Sequence, residues 1–281
     1  MDNIYNNAFV TITEVREKNN GLKINSSGAI YDKNGRIVID SLRRSEFAGI
    51  KHIADSYIYI TKPDLFLKGE YIYAGHCHNH FGHYLIETLP ELYYAVKSRK
   101  RILFQRFLGQ MNAVSSSHSL FFLNFFGISL NDVVFVDKFI QIESLEVNER
   151  IVTINNSISP SAREAYQFVS NSIYSDYEYE KIFLSRSRLK QDKRGSTEEL
   201  DLLMEKKGFL VIHPQEINIS EQIKIIKNAS VIAGYDGSAL HLSAFMKSGG
   251  KVVVMGERRN TNTKMINDLL GHETLYADFA C

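Results

Sequence analysis

Four of the nine histidines in this 281-residue chain fall within eight residues, His76-Cys77-His78-Asn79-His80-Phe81-Gly82-His83. Imidazole titrates near neutral pH and ligates metals, so the stretch could be a metal site, a catalytic base, or a set of satisfied histidines. Spacing separates these. On an extended strand His76, His78 and His80 share one face and Cys77 points the other way, a poor start for a tetrahedral zinc site. His83 and Glu87 are four apart, so on a helix they share a face, where the carboxylate can orient the imidazole or act itself. His83 and Glu87 are the pair expected to carry chemistry, with no metal.

Two further constellations lie in the second half. In Ala233-Gly234-Tyr235-Asp236-Gly237-Ser238-Ala239-Leu240-His241 an apolar run enters a small-residue turn and then a helix. Free N–H groups at such a junction suit a phosphate or diphosphate, which Gly237 lets approach and to which Ser238 adds a hydroxyl. An ordinary junction with Asp236 as N-cap accounts for the same residues. The run Lys181-Ile182-Phe183-Leu184-Ser185-Arg186-Ser187-Arg188-Leu189-Lys190-Gln191-Asp192-Lys193-Arg194 holds six cations against one acid. Arginine forks can grip a diphosphate there, although a solvated basic loop has the same composition.

These residues need a frame. Residues 1–75 read as short strands and turns, with alternation in Ser56-Tyr57-Ile58-Tyr59-Ile60. A helix over roughly 80–98 follows from the spacing of Leu85, Leu89, Leu92 and Val96, and Pro90 should kink or divide it. Strands at 101–104, 133–136 and 140–145 and a helix through Phe121–Phe126 complete an α/β half; that aromatic helix reads as core rather than as a membrane-docking face. After the loop composition of 155–162, β-rich runs at 181–185, 209–212, 230–233 and 251–254 alternate with helices, the last but one starting near Gly237. That predicts a parallel, Rossmann-like sheet with its ligand at the carboxyl ends of the strands. The expected domains are 1–157 and 158–281.

Composition excludes several classes. Lys and Arg total 33 against 32 Asp and Glu, so no global field draws the chain to nucleic acid or to anionic membrane. Two cysteines, Cys77 and Cys281, form no disulfide framework. The start, MDNIYNNAFV, lacks the pattern of a signal peptide, and no apolar run is long enough to span a bilayer. The expectation is a cytoplasmic protein with at most peripheral contact at the inner membrane face.

In chain order these stretches resemble glycosyltransferase family 61, also described as a domain of unknown function in bacterial capsule clusters. Its early Asn-Phe-Gly-His-aromatic-Leu-Leu-Glu-x-Leu-Pro motif is matched by Asn79 to Pro90, with one inserted residue after Asn79. Its Ser-Arg, basic-loop and Asn-Glu pattern looks like Ser185-Arg186, Arg194 and Thr197-Glu198. Gly208-Phe209, Glu216 and Gln222 match a further phrase, and Gly234 to Leu240 match a final Gly-x-His-Gly-Ser/Ala-x-Leu motif. Asp236 stands where the family has histidine, and Thr197 where it has asparagine.

The resemblance covers roughly 75–255 and leaves the first 75 residues unexplained. It implies two Rossmann-like lobes of the GT-B kind with a deep interdomain cleft: 1–157 on the acceptor side, 158–281 holding the nucleotide sugar. It also implies an inverting transfer to a glycan acceptor, including a lipid-linked one, in bacterial capsule or surface polysaccharide synthesis. No cofactor is expected; the donor is a substrate, with a UDP-sugar favoured. The expected donor contacts are Arg186, Arg188, Arg194, Glu198, Gly237, Ser238 and His241. His83 is the expected base, with Asp236 or His241 as the second choice. An inactive nucleotide- or carbohydrate-binding module of the same fold is the competing class, with Asp236 as its support.

Overall fold

A computed structural model describes residues 3–13, 15–17, 24–45, 51–52, 54–106, 116–191 and 195–277. The chain divides into two compact units, Met1–Ser157 and Ile158–Cys281, and both are mixed α/β.

The N-terminal unit is built on a six-stranded sheet. Its strands are β1 (Ile4–Val10), β2 (Ile30–Tyr31), β3 (Leu65–His76), β4 (Arg101–Gln105), β5 (Val133–Val136) and β6 (Ile140–Glu146), in the order β2-β1-β6-β3-β4-β5. β6, β3, β4 and β5 run parallel, whereas β1 is antiparallel to both β2 and β6. Alternate residues of these strands, among them Ala8, Tyr71, Tyr73, Leu103 and Ile142, form one buried core on a sheet face. The alternation in Ser56–Ile60 does not make a strand. Among the described residues its pairing is one bridge from Arg36 to Tyr57, flanked by the bonds from Ile37 N to Ser56 O and from Ile58 N to Gly35 O, and Tyr57, Tyr59 and Ile60 stay exposed. Alternation needs a neighbouring backbone before it becomes a sheet.

The helix expected near 80–98 runs over Phe81–Lys97 in three parts. These are α1 (Phe81–His83), a π-helical segment (Tyr84–Thr88) and α2 (Leu89–Lys97). Pro90 explains the division. It has no N–H for the carbonyl four residues earlier, and its ring would press on that carbonyl; wider i→i+5 bonding just before it relieves both. The aromatic stretch begins earlier than its phenylalanines suggest, as α3 (Ser117–Phe125), with Ser116 accepting from Ser119 N.

In the C-terminal unit, five parallel strands confirm the sheet expected from the sequence and add one. They are β7 (Lys181–Leu184), β8 (Leu210–Ile212), β9 (Val231–Tyr235), β10 (Lys251–Met255) and β11 (Glu273–Ala277), in the order β8-β7-β9-β10-β11. β11 escaped the sequence reading because Glu273-Thr274-Leu275-Tyr276-Ala277 is a half-exposed edge without an apolar run. α4 (Ala162–Ser172), α5 (Glu198–Lys206), α6 (Ile219–Ile226) and α7 (Thr261–Leu270) belong to this unit. The helix expected near Gly237 is instead a 3-10 helix over Ser238–Phe245, buried from Leu240 onward.

Candidate active site

His76 ends β3, Cys77 N–H still donates to Gln105 O, and His78 to His80 leave the sheet, so the alternating strand face expected for the histidines does not form. His76 and His78 are buried, and His80 becomes the N-cap of α1, its ring nitrogen accepting from His83 N. The rings still gather. His78 and His83 lie 5.3 Å apart between centroids, and His80 and His83 lie 5.2 Å apart. Among the described residues no group of three or more His, Cys, Asp or Glu is arranged to hold a metal ion.

Glu87 is the hub. His83 Nδ1 is 2.7 Å from Glu87 Oε1, as the spacing of four predicts, and His78 Nε2 is 3.4 Å from the same oxygen. Arg43 completes the group from 44 residues upstream, donating through Nε to Oε2 at 2.7 Å and through Nη2 to Oε1 at 2.8 Å. The β-rich start places it. Ser41 accepts from Ile30 N and donates to Val38 O, Tyr73 OH donates to Ser41 O, and Arg44-Ser45 pairs in parallel with Thr153-Ile154.

Burial opposes ionisation of Glu87, but His78 and Arg43 outweigh it and hold the carboxyl well below the usual carboxylate range. His78 itself is pulled down to about 4, chiefly by burial. It is therefore neutral at pH 7, and the lasting countercharge of Glu87 is Arg43. An ionised Glu87 accepts the His83 Nδ1 proton, which leaves the Nε2 lone pair available on a ring whose side chain is 33% exposed. That is a positioned proton acceptor.

One turn on, Glu91 is also buried, 3.1 Å from Arg150 Nη2 and accepting from Ile151 N at 2.9 Å. Gly75 makes room for that arginine: its φ is +77°, and a Cβ there would fall on the Arg150 guanidinium. His118 packs against Tyr84 and Phe81 at 5.0 and 5.6 Å, and burial lowers its pKa.

In the C-terminal unit Arg186 and Arg188 lie on the segment after β7 and Asp236 and Gly237 on the segment after β9, both at carboxyl ends of parallel strands. Arg186 follows β7, its N–H donating to Ser196 Oγ at 3.0 Å. Beneath it Ser185, Ser187 and Asp201 form a buried chain, with Ser187 Oγ donating to Asp201 Oδ2 at 2.5 Å. Arg188 is exposed and paired with Glu216 at 2.8 Å. Gln222 holds the turn that carries Glu216, donating through Nε2 to Pro214 O and Ile217 O. Arg194 lies outside the described residues. Glu198 is exposed in the first turn of α5, a favourable end of the helix dipole for a carboxylate. Thr197 is the N-cap of α5, accepting from Leu200 N, so its exchange for asparagine keeps the capping role.

At the β9 junction Gly237, not Asp236, is the cap residue of the 3-10 helix, and it makes no side-chain cap bond. Asp236 N–H donates across the sheet end to Met255 O, which fixes it one residue short of the cap position. Asp236 and His241 are buried, at 3% and 4% exposure, whereas Ser238 is partly exposed. Tyr235 OH donates to Gly195 O and so ties this junction to the basic loop.

Arg43 gave no sequence signal of its partner. Asp201 left one, an acid on the Met204 side of α5 that the helix buries.

No curated protein matches the chain significantly. The family model Glycosyltransferase 61 matches residues 81–253, from the first residue of α1 into β10 and over more than half of the sequence. The helix bearing His83 and Glu87, the Arg186 loop and the Gly237 junction all fall inside that match, and the chain belongs to glycosyltransferase family 61.

Proposed function

We propose that this protein is an inverting, metal-independent glycosyltransferase that moves one sugar from a nucleotide-sugar donor to a hydroxyl of a glycan acceptor. The observation that carries this is His83, one-third exposed and held at Nδ1 by a buried carboxylate that Arg43 keeps ionised. Nε2 takes the proton of the attacking hydroxyl as its oxygen bonds to the anomeric carbon and the bond to the diphosphate breaks. Glu87 stabilises the imidazolium that results. Asp236 and His241, buried at their junction, are the weaker choices of base.

Charge develops on the departing phosphate, for which we assign Arg186, Arg188, Arg194 and the N–H groups of Gly237 and Ser238. Arg188 can exchange partners cheaply. Its pair with Glu216 is exposed on both sides, and such pairs contribute only about 0–1 kcal/mol. Glu198 and His241 complete the proposed donor contacts. The same proposal includes the two-lobed GT-B arrangement with its cleft, a UDP-sugar donor, and an acceptor belonging to a bacterial capsule or surface polysaccharide. A lipid-linked acceptor and work in the cytoplasm at the inner membrane face belong to it as well.

A thermal-shift screen of UDP-, GDP-, CMP- and dTDP-sugars should identify the donor through stabilisation of the folded state. Nucleotide release should then require His83, with kcat about 10²–10⁴-fold lower in His83→Gln while donor-induced stabilisation is kept. Near-normal turnover in both His83→Ala and His83→Gln would put the base elsewhere. Saturable donor binding without nucleotide release from wild type would favour the inactive binding module.

A further inference from the structure

The N-terminal unit holds an open cavity of about 450 Å³ bordered by Thr11, Ser27, Tyr31, Asp55, Tyr59 and Phe139. None of these except Phe139 lies within the family match of 81–253. Of its lining, Tyr31 belongs to a buried apolar cluster with Phe9 and Ala29, against which Ala54, Ile58 and Phe139 pack, Phe139 stacked on Phe9 at 5.7 Å. Tyr59 stands at the rim, 87% exposed, its ring in edge contact with Tyr57 at 5.6 Å.

The lining selects among ligand classes. Asp55 is the one charged group among the described lining residues, so a phosphate or carboxylate would meet repulsion and no cation. An acyl chain would leave Ser27, Asp55 and Thr61 facing hydrocarbon, at a cost in lost hydration. A neutral sugar satisfies both halves of the wall. Its C–H faces pack on Tyr59 and Phe139, and its hydroxyls pair with the Asp55 carboxylate and the hydroxyl side chains. Burial, with Asp55 acting in the same direction, pushes the Tyr31 hydroxyl up to about 12, so it remains a neutral donor. The volume lies within the ~300–1,000 Å³ of small-molecule sites.

A relay of contacts leads from one cavity residue toward the histidines. Thr11 lines it and accepts from Gln105 Nε2 at 3.0 Å, while two residues on Thr13 Oγ1 lies 3.4 Å from His76 Nε2. The His76 ring is 6.2 Å from His78, which is 5.3 Å from His83.

We infer that this cavity is a subsite for neutral sugar residues of the acceptor glycan, holding the chain at a distance from the hydroxyl that reacts. Assignment to the acceptor rests on the function proposed above; sugar binding by the cavity does not. The full-length protein would be tested by saturation-transfer NMR against maltotetraose, cellotetraose, xylotetraose, mannotetraose and chitotetraose. At least one should bind. Tyr59→Ala, a change at a rim side chain that leaves the melting temperature unchanged, should weaken it about tenfold, and His83→Gln should not. With water as acceptor, the wild-type protein should release nucleotide from the donor. Absence of release from wild type would count against the enzyme reaction and leave sugar binding standing. The subsite is overturned if no tetraose binds, if binding ignores both Tyr59→Ala and Asp55→Asn, or if short peptides compete for the same residues and sugars do not.

Discussion

Replacing Arg43 by methionine tests the electrostatic logic of the histidine site directly. The side chains of Arg43 and Glu87 are 9% and 7% exposed and are joined by two hydrogen bonds of 2.7 and 2.8 Å. Because both ions were taken out of water, the intact pair adds little net stability. Removing one partner is different, since it strands the other charge in the interior at about 3–5 kcal/mol. In the intact site His78 supplies no countercharge at pH 7, because burial, with Arg43 acting in the same direction, holds its pKa at about 4. Arg43→Met should therefore lose about 3–5 kcal/mol in urea denaturation and melt roughly 6–20 °C lower. Glu87→Gln added to Arg43→Met should recover part of the loss, and a double-mutant cycle would read the coupling. The pH dependence has a definite sign. Glu87 is depressed in the fold, so its contribution is present above the ordinary carboxylate value of about 4.3 and is lost as pH falls through the lower folded value. With Arg43 gone that acid limb should move to higher pH. A loss under about 1 kcal/mol with an unchanged acid limb would refute the charge-compensation account.

Two further outcomes are expected. His78 is depressed from 6.5 to about 4, so its contribution is complete above pH ~6.5 and falls away on acidification toward 4. It amounts to roughly 3 kcal/mol by linkage, and His78→Gln should flatten the stability profile over that window in urea titrations at stepped pH. Gly75→Ala should cost about 2–4 kcal/mol, because φ is +77° and the new methyl would displace Arg150 from buried Glu91; chemical denaturation measures it, and a loss below ~1 kcal/mol would show that Arg150 can move freely.

Much of the fold is legible locally. Apolar runs separated by helix-length polar stretches predict the parallel sheet of the C-terminal unit, and its strands fall within a residue or two of expectation. The edge strand β11 is missed because half-exposed edges lack the apolar run that marks buried strands. The failure at Ser56–Ile60 is the converse, alternation without a partner strand. At the Gly237 junction the glycine turn was visible. Which residue caps the helix depends on where the sheet holds Asp236 N–H, against Met255 O.

The histidine site divides in the same way. His83 and Glu87 meet because four residues on a helical segment bring side chains onto one face, and that periodicity belongs to the backbone alone. Pro90 forecast a break in that helix for an equally local reason, a missing donor. The charge state of the site is another matter. Glu87 is ionised because a guanidinium 44 residues away is buried beside it, and His78 is neutral because the same packing strips it of water. Desolvation and ion pairing act through space, so the sequence could name the pair that would touch, and only the tertiary structure could decide which of its neighbours carries charge.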